Sequence, residues 1–579
     1  MIRASRGAAE KCPAAARTTK ARHPGRAIAQ HFTAQPAPKS CLAAPGRDRR
    51  EEPEPAERHV RSIDYFDKMV RLDPERTILI DGDSRITYGE MHRLTHRLAR
   101  AMHEAGLGHQ EPVAIMSPNH GSILTTQLGL WRAGAVWIPV NTRNALDANI
   151  AYLAYVRAGW LFYHSSLAED ARRARAQVPT IRKLICLDRP DGDVPSLADF
   201  LAPDDGIDAP DLGDPTGNGD ELTAIIATGG TTGPAKGVRV MNRSWGTLME
   251  TIGNLMPADD PVCLATAPLT HAAGPVAMAA VAMGATISVL PTFDAAAVMQ
   301  AIERDRVTHM FLPPTALYTM MAHPRVRDHD YSSLRYFLLA GSPVSPDKLR
   351  QAVEIFGPCM CQSYGQTECH MIATWLPPEI VAAAARGEHP ERLASCGRAS
   401  YSVRVELMDD DGNILPPGAV GEIVARGGIV GGGYFEMPEA TAEAAAHGWH
   451  HTGDVGRRDE HGFYYIVDRK KDMVVTGGFN VYPAEVEAAI MELEPVAEAA
   501  VIGVPDEKWG EAVTALVVLL PGTALAEDAV RAHCKARLGS VKAPKTVLFR
   551  ESLARTPAGK MDKKAMREEF WGSAARNVN

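Results

Sequence analysis

The 579-residue chain is 45% hydrophobic and 23% charged, the composition of a folded globular protein, and it is too long for one hydrophobic core, so a large and a small domain are expected. A formal net charge of -8 leaves no broad cationic surface to neutralise a nucleic-acid backbone, whereas a small anionic substrate needs only a few local cations. The nine cysteines show no paired metal spacing, and Cys359 and Cys361, one residue apart, suit neither zinc nor a redox pair; they read as reduced thiols.

Residues 1–60 are rich in Ala, Arg and Pro without a sustained apolar period, which predicts a disordered basic extension. Such an Arg-rich start is either a mitochondrial transit segment or an extension upstream of a folded protein that begins near Ser62. The folded part is expected in the cytoplasm, with mitochondrial import as the alternative if the extension is real. From there an α/β rhythm is predicted: a strand over Val113 to Met116, a helix over Ile123 to Ala133 and a strand over Ala135 to Val140. It recurs at Thr308 to Leu312 with Ala316 to Met321, and at Tyr336 to Ala340 with Pro346 to Phe356. The uncharged stretch Ala272 to Leu290 is divided by Gly284 into a small-residue helix and a strand, so no transmembrane segment is predicted.

After Gly397 the pattern turns to short alternating strands, Val403 to Met408 and Ile414 onward, around the hairpin signal Asp410-Asp411-Gly412-Asn413. Beyond Asp468 follows a compact α+β segment with helices over Pro483 to Met491 and Glu527 to Leu538 and strands near Ala499 to Val504 and Val513 to Leu520. The expected fold is therefore α/β: a large domain (61–469) of parallel-type sheets with a β-rich subdomain, then a small mobile α+β domain (470–579).

The sharpest local feature follows the apolar run Leu222 to Ala227: Thr228-Gly229-Gly230-Thr231-Thr232-Gly233-Pro234-Ala235-Lys236-Gly237. Glycines let backbone N–H groups approach an anion, threonine hydroxyls donate, and Lys236 adds charge, which makes a phosphate cradle. It is not a Walker A loop, because Gly237 stands where that pattern needs Ser or Thr. Further along lie Ala340-Gly341-Ser342-Pro343, Ser363-Tyr364-Gly365-Gln366-Thr367-Glu368, His451-Thr452-Gly453-Asp454 with Arg469 after it, Thr476-Gly477-Gly478-Phe479, and Arg555-Thr556-Pro557-Ala558-Gly559-Lys560. Taken alone, an Asp after Gly is an ordinary turn residue and a lysine in a basic tail is ordinarily solvated.

Together, in this order and over most of the chain from about Ile86 to Lys560, these motifs resemble those of the adenylate-forming superfamily of acyl-CoA synthetases, adenylation domains and luciferases. One position departs: Pro234 precedes the variable residue of the loop instead of following it. The resemblance implies that Tyr364 stacks on adenine with Gly341 and Ser342 opposite, that Thr367 reaches the α-phosphate, and that Glu368 and Thr228 hold Mg²⁺. It further implies that Asp454 and Arg469 bind the ribose, that Lys471 is a hinge, and that Gly477, Gly478 and Phe479 line the path of the thiol. Lys560 would enter the site for adenylation; Lys470, Lys563 and Lys564 read as solvated. His271, in Pro268-Leu269-Thr270-His271, occupies the acyl-pocket entrance, where Thr270 replaces a common aromatic residue, and a buried, satisfied histidine is the alternative.

The implied activity is ATP-dependent acid:CoA ligation through an acyl-adenylate, with ATP, Mg²⁺ and coenzyme A, on a fatty acid first and an aryl or alicyclic acid second. A nonribosomal adenylation module, an acyl-AMP ligase serving a carrier protein, a luciferase-type oxygenase and a non-catalytic nucleotide-binding protein are the rivals; neither the acid nor a homo-oligomeric state is readable.

Overall fold

Short apolar runs alternating with amphipathic helices dictate the architecture. The structure, a computed structural model, describes residues 60–206, 219–228, 235–271, 273–556 and 561–571, all within the unit Ala56–Asn579; the predicted basic extension lies outside the described residues. Pro112–Met116 is buried on both faces, as a continuous apolar run in a parallel sheet should be, and it pairs in parallel with Val136–Val140 and Trp160–Tyr163. The helix between, Gly121–Arg132, is buried along most of its length. These strands belong to a six-stranded sheet that ends Val136–Val140, Leu222–Thr228, Lys236–Met241, and the last pair is antiparallel.

A nine-stranded sheet stands beside it. Its centre runs, all parallel, Met360–Tyr364, Tyr336–Leu339, His309–Leu312, Val262–Ala265, Thr286–Val289 and Thr77–Asp81, with antiparallel strands at both edges. The uncharged stretch resolves into the helix Ala273–Ala282 and the strand Thr286–Val289, joined through Gly284 at φ +80°; no helix among the described residues is long and apolar enough to cross a membrane. Thr228, Gly341 and Tyr364 all sit at the C-terminal ends of strands, where open α/β sheets bind ligands.

The four-stranded antiparallel sheet that follows corrects one expectation. Ile414 makes only an isolated bridge to Met408, because Pro416 and Pro417 cannot continue a ladder, and Val403–Met408 pairs instead with Val420–Gly427. His450–Arg458 and Tyr464–Arg469 complete this sheet. Beyond it, Val496–Asp506 and Gly510–Leu519 form the long hairpin of a five-stranded sheet, covered by the helices Pro483–Met491 and Glu527–Lys542.

A second correction concerns the last helix, Lys563–Trp571. Lys563 is not solvated: its side chain is 13% exposed and its ammonium lies 2.8 Å from Glu487, whose carboxylate also accepts the Val501 N–H. The buried cation needs that partner, and the neighbouring carboxylates of Glu487 and Asp468 hold its pKa above the ordinary lysine value despite the opposing effect of burial. Lys564, paired at the surface with Glu568, is exposed as expected.

Candidate active site

The phosphate-cradle motif closes an antiparallel hairpin, with Thr228 and Lys236 directly opposite each other at its base. Gly229, Gly230, Thr231, Thr232 and Gly233 lie outside the described residues. A Walker A loop runs from strand into helix; here strand returns along strand, and Gly237 is required by packing, since a Cβ there would meet Ile225 Cγ2 at 2.6 Å. The absence of a hydroxyl residue after the lysine thus has a steric cause.

Tyr364, at the end of its strand, and Asp454, on the next sheet, are both buried and meet directly. The Tyr364 hydroxyl donates to Asp454 Oδ2 at 2.7 Å, Gln366 Nε2 donates to the same oxygen at 2.9 Å, and Arg469 Nε lies 3.1 Å from Oδ1. Asp454 and Arg469 face each other across a strand pair, which brings the two side chains within reach. Burial and the Asp454 carboxylate push the Tyr364 hydroxyl well above its ordinary pKa, so it remains a donor. Of the four lone-pair positions on the carboxylate, three are engaged among the described residues. A ligand with two vicinal hydroxyls therefore needs one donor to step aside, and Arg469, whose side chain is half exposed, is the one free to do so. Gly365 cannot carry a side chain, because a Cβ would meet Met371 backbone atoms at 2.3 Å, and Gly341 holds φ +89° on the exposed turn it shares with Ser342.

Four residues after Tyr364, Glu368 is half buried and lines a cavity of about 360 Å³ together with Val238, Gly431, Tyr434, Trp449 and His450. Tyr434 donates its hydroxyl to Glu368 Oε1 at 2.9 Å, and Lys236 Nζ sits 4.6 Å from the centroid of the Tyr434 ring. Sequence reasoning missed Tyr434; the run Gly431-Gly432-Gly433 before it was a signal, since Cβ atoms at Gly432 and Gly433 would collide with Met241 and Thr441. No group of three His, Cys, Asp or Glu among the described residues could cage an ion unaided. One carboxylate beside an open cavity fits a cation that keeps most of its waters and takes its other ligands from substrate phosphates.

Thr367 is held from behind by His370, whose Nδ1 lies 2.9 Å from the Thr367 carbonyl and Nε2 3.0 Å from Ser244 Oγ. Full burial lowers the His370 pKa from 6.5 to about 4. The unfolded chain takes up a proton near pH 6.5 and the folded chain only near pH 4, so this contribution to stability is complete above 6.5 and is lost as pH falls through that window. The expected loss is up to about 3 kcal/mol, and His370→Gln should flatten it in urea denaturation compared at pH 7 and pH 4.5; equal losses in the two proteins would acquit His370.

The turn that presents Asp454 depends on Glu422, which accepts the Gly453 N–H at 2.9 Å and pairs with His451 at 3.2 Å and Lys470 at 3.1 Å. Lys470 stands at the surface as expected, its side chain 41% exposed, and there it bridges Asp410 and Glu422, tying the end of the four-stranded sheet together just before Lys471, which is exposed. Gly477 and Gly478 have φ +57° and +80° and are exposed, as is Phe479, and the Gly477 N–H donates to the Trp509 carbonyl at 2.8 Å. Trp509 is 39% exposed, with Lys508 Nζ 4.8 Å and Lys545 Nζ 5.7 Å from its ring centroid. His271 is exposed rather than buried, in the turn that precedes the apolar helix Ala273–Ala282, while Thr270 is buried. Lys560 lies outside the described residues.

Residues 66–435 match the family described as AMP-binding enzyme. The chain belongs to that family. Residues 485–560 match the AMP-binding enzyme C-terminal domain. Among similar proteins, the medium/long-chain-fatty-acid–CoA ligase FadD8 of Mycobacterium tuberculosis is 37% identical over 531 residues, 87% of this chain and 89% of that protein. Feruloyl-CoA synthase of Amycolatopsis sp is 35% identical over 507 residues, 87% and 98% of the two chains. Among solved structures, the amide bond synthetase McbA of Marinactinospora thermotolerans superposes with a TM-score of 0.79 at 29% identity, covering 88% of this AMP-binding enzyme and 100% of McbA.

Proposed function

We propose that the AMP-binding enzyme activates a medium- or long-chain fatty acid. The chain is an ATP-dependent acid:CoA ligase. The observation that carries the choice of acid is the identity to the mycobacterial fatty-acid ligase, sustained over 87% of the chain. The helix Ala273–Ala282 beside His271, built of Ala, Gly, Val, Met and Pro without a polar side chain, supports an apolar acyl group. A feruloyl-CoA synthase at 35% identity keeps an aryl acid as the second reading.

In this reading adenine packs on Tyr364 opposite Gly341 and Ser342, the ribose hydroxyls donate to Asp454 as Arg469 turns to meet them, and Thr367 donates to the α-phosphate. The loop 229–233, with Thr228 and Lys236 at its base, holds the β- and γ-phosphates. Mg²⁺, carried by Glu368 and Thr228, would neutralise phosphate charge. A carboxylate oxygen of the acid attacks the α-phosphorus as the bond to the β-phosphate oxygen breaks, and pyrophosphate leaves. Lys560 offsets the mutual repulsion of the acid and the α-phosphate. The small domain, residues 470–579, then turns about Lys471 and brings Gly477, Gly478 and Phe479 to the acyl-adenylate. The thiol sulfur of CoA attacks the acyl carbon, its proton passes to solvent, and AMP leaves. Trp509, partly exposed, with Lys508 and Lys545 over its ring offers apolar contact and positive charge to the nucleotide end of CoA.

The test is pyrophosphate and AMP release by the purified protein with ATP and Mg²⁺ over fatty, alicyclic and aryl acids, with and without CoA. Turnover dependent on both a fatty acid and CoA is expected. Turnover with aryl acids alone would overturn the choice of acid, and pyrophosphate release indifferent to CoA would overturn CoA as acceptor.

A further inference from the structure

A lysine and a glutamate that share a phosphate site have opposite charges, and nothing in their chemistry stops them from pairing with each other. Such a pair would use up both: the ammonium needed for phosphate and the carboxylate needed for a cation. Lys236 and Glu368 do not pair. Among the described residues no ion pair links them, and Tyr434 stands in contact with both. The Lys236 ammonium rests over the face of the Tyr434 ring at 4.6 Å, while the hydroxyl at the ring edge donates to Glu368 Oε1 at 2.9 Å. The two contacts use opposite parts of one rigid side chain, because the face of an aromatic ring attracts a cation and the phenolic hydrogen attracts an anion.

The position of Tyr434 is itself fixed from several directions. Its backbone bridges Val238, two residues beyond Lys236 on the same strand, its N–H donates to Thr441 Oγ1 at 3.0 Å, and Gly431, three residues earlier, donates its N–H to the Glu368 carbonyl at 2.9 Å. The segment that carries the ring is thus stitched to both of the residues it separates. Among the described residues Glu368 accepts one side-chain hydrogen bond, on Oε1, which leaves its other lone pairs to a cation on the cavity side.

We propose that Tyr434 is a positioning residue that holds Lys236 and Glu368 apart, so that both remain available to a metal–triphosphate group. This rests on the assignment of Lys236 to phosphate and Glu368 to the cation. The ring performs the separation, and the hydroxyl only orients the carboxylate. Tyr434→Leu lets the lysine and glutamate close on each other, whereas Tyr434→Phe keeps the spacing.

Binding of Mn²⁺·ATP, followed by the electron paramagnetic resonance of free Mn²⁺ at fixed ATP, tests this without turnover, and AMP binding by calorimetry serves as the reference because AMP has no β- or γ-phosphate. Tyr434→Leu is expected to raise the Kd for Mn²⁺·ATP at least about tenfold, with AMP affinity held within about twofold and Tyr434→Phe within about threefold of wild type. Wild-type Mn²⁺·ATP affinity in Tyr434→Leu overturns the proposal, as does a loss in Tyr434→Phe equal to that in Tyr434→Leu, which would make the hydroxyl the working part. An equal loss of AMP in Tyr434→Leu also overturns it, since that marks general damage. Lys236→Met and Glu368→Gln separate the underlying assignment: if both bind Mn²⁺·ATP as wild type does, the assignment of these two residues fails whatever Tyr434 does.

Discussion

Lys560→Ala is expected to slow acyl-adenylate formation from acid and ATP by about 10²–10³ while leaving thioester formation from supplied acyl-AMP within about twofold of wild type. Before the first bond forms, a carboxylate must approach a phosphate that repels it, and one well-placed ammonium removes much of that repulsion. In the second step the acid is already esterified and the attacking thiol is drawn to a carbonyl carbon, so the same ammonium has no charge to offset. The described residues on either side of Lys560 are anchored. Arg555 bridges Met561 and pairs with Glu498 at 2.8 Å, and Lys563 and Arg567 are held by Glu487 and Asp472 at 2.8 and 2.7 Å. Thermal unfolding of Lys560→Ala beside wild type registers any loss of fold. The two half-reactions measured separately decide the matter, with Lys564→Ala as the surface control. Equal loss of both half-reactions in Lys560→Ala would remove Lys560 from the adenylation step.

The strands and helices of the parallel sheets were legible because buried strands and their covering helices are written in uninterrupted apolar runs with turn residues between them. Pro346–Phe356 and Pro483–Met491 have the predicted bounds, each opened by a proline that suits the first helical turn. What misled was charge. Lys563 looks like any lysine in a basic stretch, and only the fold brings Glu487 to it from 76 positions away. Ile414 failed for a local reason, the two prolines after it, which pattern-matching to a hairpin turn overlooked. The nucleotide motifs were visible as words, but their mutual geometry was not. That Tyr364 and Asp454, 90 positions apart, share a hydrogen bond could not be read from either motif. Tyr434 escaped altogether, because an aromatic residue after a glycine run carries no chemistry until Lys236 and Glu368 are seen on either side of it.

Asp454→Ala is expected to weaken AMP binding by at least about 10², from the loss of two hydrogen bonds to an ionised acceptor worth about 1.5–3 kcal/mol each. Unlike the Lys560 variant, it should slow both half-reactions, because in the proposed reading Asp454 holds the ribose of ATP and of the acyl-adenylate alike. The structure adds a further consequence. The Asp454 carboxylate also receives Tyr364 and Gln366, so its removal leaves a buried phenol and a buried amide seeking partners and loosens the ring on which adenine is proposed to lie. Asp454→Asn keeps an acceptor for these donors but lacks the charge that draws Arg469, and its loss should fall to about tenfold. Tyr364→Phe works in the opposite sense: it keeps the ring and releases one lone pair of Asp454 to the ribose, so AMP affinity should change by no more than about threefold. Calorimetric titration of AMP into the three variants, with thermal unfolding of each to register any general damage, separates the contributions. Wild-type AMP affinity in a folded Asp454→Ala protein would show that the nucleotide binds elsewhere. A loss in Tyr364→Phe as large as in Asp454→Ala would mean that the phenol hydroxyl, and not the carboxylate, is the ribose contact.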